Sequence, residues 1–522
     1  MIAQVTKYLS EYNFSPVIDI NNSREFIYSG IITTSRFGDV KIDLHFSRQG
    51  IFSFPDAYIN EISRDKFVPY HFPHLDDRWI LCYHDNSIVF DTVNIKQSVK
   101  LIIENIKYIF ENVQFDDMNE IIPEFNSYWL SSKILFSRFT DIPEYVGRRD
   151  LWLEESKVFN QNLTKVFRLA ELPSLKDCNW PINSLSDLSY WLKENTIINE
   201  IKKTLIRNLA DKKDKTTFLF YAQKEEYFFG ITFVYQDPLL KQKAPKKLKH
   251  KTVDILLQKH TVERLWIENI DDRNMIYSNL PHNFPTLENY KIALIGAGTI
   301  GSNLSTLLVK LGAGISNKKQ LAIIDFDTYL PENYSRHILP FSDFGIKKAK
   351  AVSEELKRSN PYLNIEVFSN SVENYALDQF DIIFDTTGEE SVTDFLNRKI
   401  FNIATNAVFI ISWAHITGKK VETLIIPNNN SPCHECFKHT HIDNTIPMKG
   451  ETHRRTGCSS VFVPFPIMLS VSASLLAIRV LLDYLQGKVN TTTLYSQNIE
   501  EDNKITTTQI NFAKDCEICL KN

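Results

Sequence analysis

Near the middle of the 522-residue chain, three glycines stand in the run Gly296-Ala-Gly298-Thr-Ile-Gly301, directly behind a short apolar segment. At this spacing the first glycine permits a tight turn and the second lets a phosphate approach the backbone. The third allows a helix to pack closely, and that helix's N-terminus favours an anion. Alone, the turn fits a nicotinamide-dependent oxidoreductase as well as an ATP-using enzyme, or a purely structural bend. Asp325 follows 24 residues past Gly301, with Asp327 two further on, where a carboxylate can hold ribose hydroxyls. Asn333 and Arg336 come next. Three apart on one helical turn, they can face phosphates together, and a guanidinium there can fork onto phosphate oxygens. Lys348 is a second cation. Asp385 ends Asp381-Ile-Ile-Phe-Asp385, a position at a strand's C-terminal end from which a carboxylate can hold Mg²⁺ on the phosphates. Singly, Lys348 or Asp385 reads as a surface charge or a cap. In this order they favour transfer at the α-phosphate of ATP, where charge builds on phosphate oxygens; hydride transfer has little use for them.

The cysteines divide by context. Cys433-His-Glu-Cys436 and Cys516-Glu-Ile-Cys519 are two Cys-x-x-Cys pairs. Four thiolates make a closed tetrahedral zinc site, the alternative being two redox dithiols. His434, inside the first pair, is expected not to be a ligand. Cys458 lies in Arg454-Arg455-Thr-Gly-Cys458, where arginines and a nearby helix start would stabilise a thiolate. Cys178 has no motif around it and reads as structural.

These residues sit on an ordinary composition: 43% hydrophobic, 23% charged, formal net charge −4. Nothing in that balance calls for a nucleic-acid or membrane partner. Met1 to Phe14 lacks an apolar run of signal-peptide length, and the apolar stretch Val461 to Leu485 carries serines, Arg479 and Asp483, as a buried helix would. A cytoplasmic protein with reduced cysteines is expected, so paired cysteines point to metal before disulfide.

Alternation of apolar and polar side chains predicts strands over Ser23–Thr33 and Asp39–Phe46, with a third from Ile51 to Pro55. Helical spacing marks Gln97–Asn112, so the first third reads as an α+β domain. Between Asp116 and Asn279 the pattern is weaker. Phe218–Tyr221 and Tyr227–Tyr235 predict a hairpin, and the basic Leu240–Lys251 a solvated loop. From Tyr290 onwards, Lys291–Ile295, Leu321–Asp325, Asp381–Phe384 and Val408–Trp413 are short apolar strands separated by helical segments, the signature of a parallel, doubly wound α/β sheet.

With its acidic, cationic and Mg²⁺-binding positions in this order, the segment from 280 to 522 resembles the ThiF-type adenylating domain of ubiquitin-activating enzymes and of the bacterial adenylyltransferases of thiamine and molybdopterin synthesis. The resemblance covers Gly296, Gly298, Gly301, Asp325, Asp327, Asn333, Arg336, Lys348 and Asp385. The family usually has glutamine where His337 stands. It implies a Rossmann-like fold that adenylates the C-terminal glycine of a protein, with ATP and Mg²⁺ as cofactors. It also implies Zn²⁺ on Cys433, Cys436, Cys516 and Cys519, and a homodimer in which an upstream arginine, Arg273 here, reaches the partner's ATP site. In that family the segment holding Cys458 carries the cysteine that takes the acyl group as a thioester.

Residues 1–115 resemble a ubiquitin-conjugating domain. Tyr28-Ser-Gly30, Phe54-Pro55 and Pro73-His74 shortly before Cys82 match its meander, proline turn and histidine-bearing segment, although the asparagine usual after His-Pro is missing. The resemblance implies a catalytic Cys82 with His74 positioning its chemistry. A conjugating domain, a spacer over 116–279 and an activating domain resemble the fusion enzymes of bacterial anti-phage operons that signal through cyclic oligonucleotides (CBASS). Phe125-Asn-Ser-Tyr-Trp129 is similar to those fusions as well. Implied partners are a cGAS-like nucleotidyltransferase or a ubiquitin-like protein, and a target lysine. Competing readings are a sulfur-carrier adenylyltransferase with an N-terminal docking domain, an oxidoreductase resting on the glycine loop alone, and a non-catalytic scaffold.

Overall fold

Side chains that alternate between core and solvent make the first sheet. In the strand Gly38–Ser47, Val40, Ile42, Leu44 and Phe46 are buried while their neighbours face out. A computed structural model of the protein describes residues 1–17, 25–47, 53–67, 72–76, 78–84, 89–115, 117–129, 133–137, 148–153, 159–175, 178, 180–211, 215–234, 261–316, 320–403, 406–415, 419–441, 453–454, 461–462, 465–499 and 503–519. These form two compact units, Met1–Asp271 and Asp272–Asn522.

The first unit has two sheets. One is an antiparallel meander of β1 (Ser15–Val17), β2 (Glu25–Thr34), β3 (Gly38–Ser47), β4 (Asp56–Ile59) and β5 (Ile80–Leu81), neighbours in chain order. The helices Ile2–Ser10 and Ile95–Asn112 pack against each other, and the second buries Val99, Ile102, Ile106 and Phe110 in the same core. Of the strand expected over Ile51–Pro55, Ile51 and Phe52 lie outside the described residues; Ser53–Pro55 are not in a strand, and pairing begins at Asp56–Ile59, after Pro55, which cannot donate to a ladder.

The other sheet closes into a barrel in the order β10-β11-β6-β7-β8-β9: β6 (Lys133–Ser137), β7 (Arg148–Leu153), β8 (Phe159–Leu169), β9 (Lys215–Ala222), β10 (Tyr227–Val234) and β11 (Val262–Asn269). Aromatic rings, several of them from helices, pack against one face of it. Phe125, Trp129, Trp191, Phe220 and Phe229 are buried together, and the Trp129 indole donates to the Leu265 carbonyl at 2.8 Å. The expected hairpin is β9–β10. The basic stretch Leu240–Lys251 lies outside the described residues.

The second unit is an eight-stranded sheet flanked by helices, ordered β14-β13-β12-β15-β16-β17-β20-β21. Its strands are β12 (Ile292–Ile295), β13 (Leu321–Ile324), β14 (Ile365–Phe368), β15 (Ile382–Asp385), β16 (Val408–Ala414), β17 (Lys420–Ile426), β20 (Thr493–Asn498) and β21 (Ile505–Gln509). Between β17 and β20 a separate ribbon pairs β18 (His453–Arg454) with β19 (Val461–Phe462). The first five strands of the large sheet are parallel, and the inner ones, β12, β13, β15 and β16, are buried on both faces, as a doubly wound fold requires, while the edge strand β14 is largely exposed. The last three pair antiparallel, so the sheet is mixed. The short link from Ala414 to Lys420 is the reason: a few residues join antiparallel neighbours, whereas a parallel crossover needs a dozen or more. Ile467–Leu485 is long and apolar enough to cross a membrane, yet Leu469, Ala473, Leu476, Ala477, Val480 and Leu481 are buried in this unit's core.

Candidate functional site

The strand order reverses between β12 and β15, and ligands of such sheets bind beyond the carboxyl ends at that point. The three glycines lie there with separate reasons for being glycine. Gly296 has φ +87°, and a Cβ would stand 2.9 Å from the Thr387 nitrogen. A Cβ on Gly301 would fall 1.8 Å from the Gly296 carbonyl oxygen. A Cβ on Gly298 would meet nothing within 4 Å, so this side of its backbone is open to an approaching group. Gly298 caps the helix Thr299–Lys310, whose first amides point at the mouth of the crevice.

Hydrogen bonds tie this loop to every neighbouring strand end. Asp325 accepts from the Ala297 nitrogen at 2.7 Å through Oδ2 and from the Asp327 nitrogen at 2.7 Å through Oδ1. Burial raises its carboxyl above the usual range, against the pull of those amides and Lys348. Asp327, more exposed, meets the Lys348 ammonium at 2.8 Å, and the Lys348 nitrogen donates to the Asp327 carbonyl at 2.9 Å, so the helix Lys348–Ser359 starts docked on this acid.

Asn333 and Arg336 lie on a 3-10 helix, Pro331–Arg336, where residues three apart share a face. Asn333 Oδ1 accepts from the Leu330 nitrogen at 3.1 Å and so caps this turn. The Arg336 guanidinium lies over the Phe465 ring, 4.4 Å from its centre, and its carbonyl receives Asn303 Nδ2 at 3.5 Å from the glycine-loop helix. His337 is buried. Its Nδ1 accepts from the Leu339 nitrogen, which leaves Nε2–H to donate to the Ala297 carbonyl at 2.8 Å, and burial lowers its pKa to about 4. A neutral imidazole therefore holds the Ala297 carbonyl while Asp325 holds the Ala297 nitrogen.

Asp385 ends β15 fully buried. Its Oδ1 accepts from the Thr387 nitrogen at 3.0 Å and the Thr387 hydroxyl at 2.7 Å; Oδ2 accepts from the Thr393 hydroxyl at 2.5 Å. Burial raises this carboxyl, and the threonine donors oppose the rise. The Thr386 hydroxyl donates to the Gly296 carbonyl at 2.7 Å. Sequence reasoning passed over Thr386, Thr387 and Thr393; the polar pair directly after Asp385 was the one signal for them. With lone pairs left on both carboxylate oxygens, Asp385 fits a Mg²⁺ ligand that is oriented in advance.

Cys433, Cys436, Cys516 and Cys519 converge, with all four sulfurs within 4.8 Å of one another. Four of the six separations run from 3.2 Å (Cys436–Cys519) to 4.0 Å (Cys433–Cys436). A tetrahedron of thiolates about 2.3 Å from zinc has edges of about 3.8 Å, so the set fits that ion. Arg273 is held by Glu288, Nε to Oε2 at 2.8 Å. Cys458 lies outside the described residues.

In the first unit Cys82 is exposed, and its nitrogen donates to the His74 carbonyl at 2.7 Å. His74 has φ +65°, and its ring is held by Glu124 and Glu120, at 2.9 Å and 3.4 Å. The Tyr128 hydroxyl receives the His74 nitrogen and donates to Glu124 at 3.3 Å. Nothing in the spacing around Cys82 foretold these partners. Cys178 donates to the Leu175 carbonyl at 2.9 Å beside the barrel core.

Residues 272–518 match the model of the ThiF family. An ATP-dependent ubiquitin transferase-like protein, Cap2, of Pseudomonas aeruginosa (strain BWHPSA011 / Pa011) is 27% identical over 507 residues, covering 90% of this chain and 90% of its own. The protein of that name from Escherichia coli (strain TW11681) is 26% identical over 538 residues, 88% of each. Among solved structures, E. coli MccB with ATP is 16% identical at a TM-score of 0.35, covering 45% of this chain and 67% of that one.

Proposed function

We propose that this chain, whose residues 272–518 match the model of the ThiF family, is an ATP-using adenylating enzyme that activates the C-terminal glycine of a partner protein and passes it through two cysteines to a lysine. The observation that carries this reading is the web of hydrogen bonds joining the glycine loop to Asp325, His337 and Thr386 and, beyond Asp325, to Asp327 and Lys348, with Arg336 and Asp385 the chain neighbours of His337 and Thr386.

In this reading a carboxylate oxygen of the partner attacks the α-phosphorus of ATP. The bond to the β-phosphate oxygen breaks, leaving an acyl-adenylate and pyrophosphate. Arg336 and Lys348 balance the charge that grows on the phosphate oxygens, the first amides of Thr299–Lys310 receive the phosphates, and Asp325 holds the ribose. Asp385 would hold Mg²⁺, which supplies further positive charge on the phosphates. Cys433, Cys436, Cys516 and Cys519 would hold Zn²⁺, which ties the segment at 516–519 to the one at 433–436.

The Cys458 thiolate then attacks the acyl carbonyl and releases AMP. The Cys82 thiolate attacks the resulting thioester and frees Cys458. A lysine amine attacks the second thioester, leaving an amide and the Cys82 thiol once the amine has lost its proton. We read residues 1–115 as the conjugating part, 116–279 as the spacer and 280–522 as the activating part of a cytoplasmic homodimer in which Arg273 serves the neighbouring site. The partner class is a cGAS-like nucleotidyltransferase of an anti-phage operon or a ubiquitin-like protein.

Incubating the chain with ATP and candidate partners ending in glycine tests this. Cys82→Ala is expected to accumulate a reductant-sensitive adduct on Cys458, and Cys458→Ala to stop at the adenylate. Lysine-linked product from Cys82→Ala at the parent rate would remove the relay and leave the first unit as a docking module.

A further inference from the structure

We propose that the helix Glu390–Asn402 couples the four-cysteine cluster to Asp385, making Thr393 and Asn397 positioning residues through which Zn²⁺ on the cysteines sets the affinity for Mg²⁺·ATP. This rests on the reading of both sites given above.

Thr393 and Asn397 are four apart on that helix and therefore stand one above the other on a single face. Both are buried. Thr393 donates its hydroxyl to Asp385 at 2.5 Å. Asn397 accepts the His434 nitrogen at 3.1 Å through Oδ1. His434 directly follows Cys433 and opens the helix His434–Thr440, which also carries Cys436. The Asn397 amide nitrogen is buried and has no hydrogen-bond partner among the described residues.

A second set of contacts holds the same two helices together. The His434 ring meets Asp394 at 3.2 Å, and the Lys438 ammonium meets Asp394 at 2.9 Å and Glu390 at 3.7 Å. The path is short. A metal that fixes Cys433 and Cys436 fixes the start of His434–Thr440. That backbone fixes Asn397, one helical turn carries the position to Thr393, and Thr393 sets the Asp385 oxygen. Groups that hold ligating residues from behind typically change metal affinity by 10–100-fold when removed, and here such groups serve two sites at once.

The experiment measures Mg²⁺·ATP binding by calorimetry and zinc content by elemental analysis on the full chain. Thr393→Val removes the hydroxyl at nearly constant shape. It is expected to keep its zinc and to bind Mg²⁺·ATP about tenfold more weakly, while Thr393→Ser restores the parent affinity. Parent protein stripped by a zinc-selective chelator, still folded by circular dichroism and assayed in excess Mg²⁺, is expected to lose affinity by a similar factor and to regain it with Zn²⁺. Stripped, folded protein that binds Mg²⁺·ATP as the parent does would overturn the coupling alone. Absence of zinc from the parent overturns it together with the metal reading. Parent-like binding by Asp385→Asn overturns it together with the nucleotide reading.

Discussion

The Nδ1 nitrogen of His74 lies 2.9 Å from Oε1 of Glu124, and the pair joins the segment that carries Cys82 to a helical stretch beyond the first sheet. His74 is further held by Glu120, and its backbone by Tyr128. The Glu124 hydrogen bond raises the His74 pKa, with burial working against it and the two glutamates' charges reinforcing it. A raised folded-state pKa means the pair contributes fully below the unfolded value near 6.5, and its contribution is lost as pH rises through the folded value. Amide-exchange protection at Cys82, whose nitrogen is bonded to the His74 carbonyl, is therefore expected to fall as pH rises above 6.5 and through the raised folded-state value. Glu124→Gln should flatten that dependence. Equal pH dependence in the two proteins would show that the pair does not hold this segment.

His337 has the opposite sign. Its folded pKa, lowered to about 4 by burial, lies below the unfolded value of 6.5. The stability is complete above the unfolded value and is lost as pH falls towards 4, because only the unfolded chain takes up the proton there. The full difference is about 3 kcal/mol. His337→Gln keeps a donor for the Ala297 carbonyl and has nothing to titrate. Melting curves between pH 7 and pH 4 should show the parent losing more stability than the variant; parallel losses would exclude His337 as the cause.

At the nucleotide site, Arg336→Ala is expected to lower kcat/KM for ATP–pyrophosphate exchange by 10²–10³-fold, from about 3–4 kcal/mol of lost charge stabilisation. Asp385→Ala should abolish exchange. Parent-like exchange in either variant would take that residue out of the chemistry.

Elemental analysis should find one zinc per chain. Cys516→Ala, or removal of roughly the last ten residues, should release it and lower the melting temperature, since structural-zinc binding energy is folding energy. Freshly purified protein without zinc would refute the assignment.

Much of this was legible because some chemistry is written locally. The glycine loop, the two cysteine pairs and the short strands β12, β13, β15 and β16 are contiguous runs whose spacing carries their meaning. The barrel was not legible beyond one hairpin. Its closure pairs Leu265 with Lys133, and the Trp129 indole with the Leu265 carbonyl, across distances over which periodicity is silent. β21 escaped notice because Ile505–Gln509 is an exposed edge without an apolar face. Thr393 and Asn397 carry no motif; their partners, Asp385 and His434, are brought to them only by packing. Glu124 and Tyr128 belong to the same class, since folding alone brings them to His74.

The unequal surroundings of the three glycines decide what a mutational dissection of the loop can measure. A methyl group at Gly301 would be driven into the Gly296 carbonyl, and one at Gly296 would need a left-handed backbone beside Thr387, so alanine at either position reports on folding. At Gly298 the methyl would enter open space on an extended backbone. Gly298→Ala is thus the substitution that leaves the scaffold intact and obstructs only what approaches it. It is the inactive control of choice for separating nucleotide-dependent behaviour from everything else this chain does.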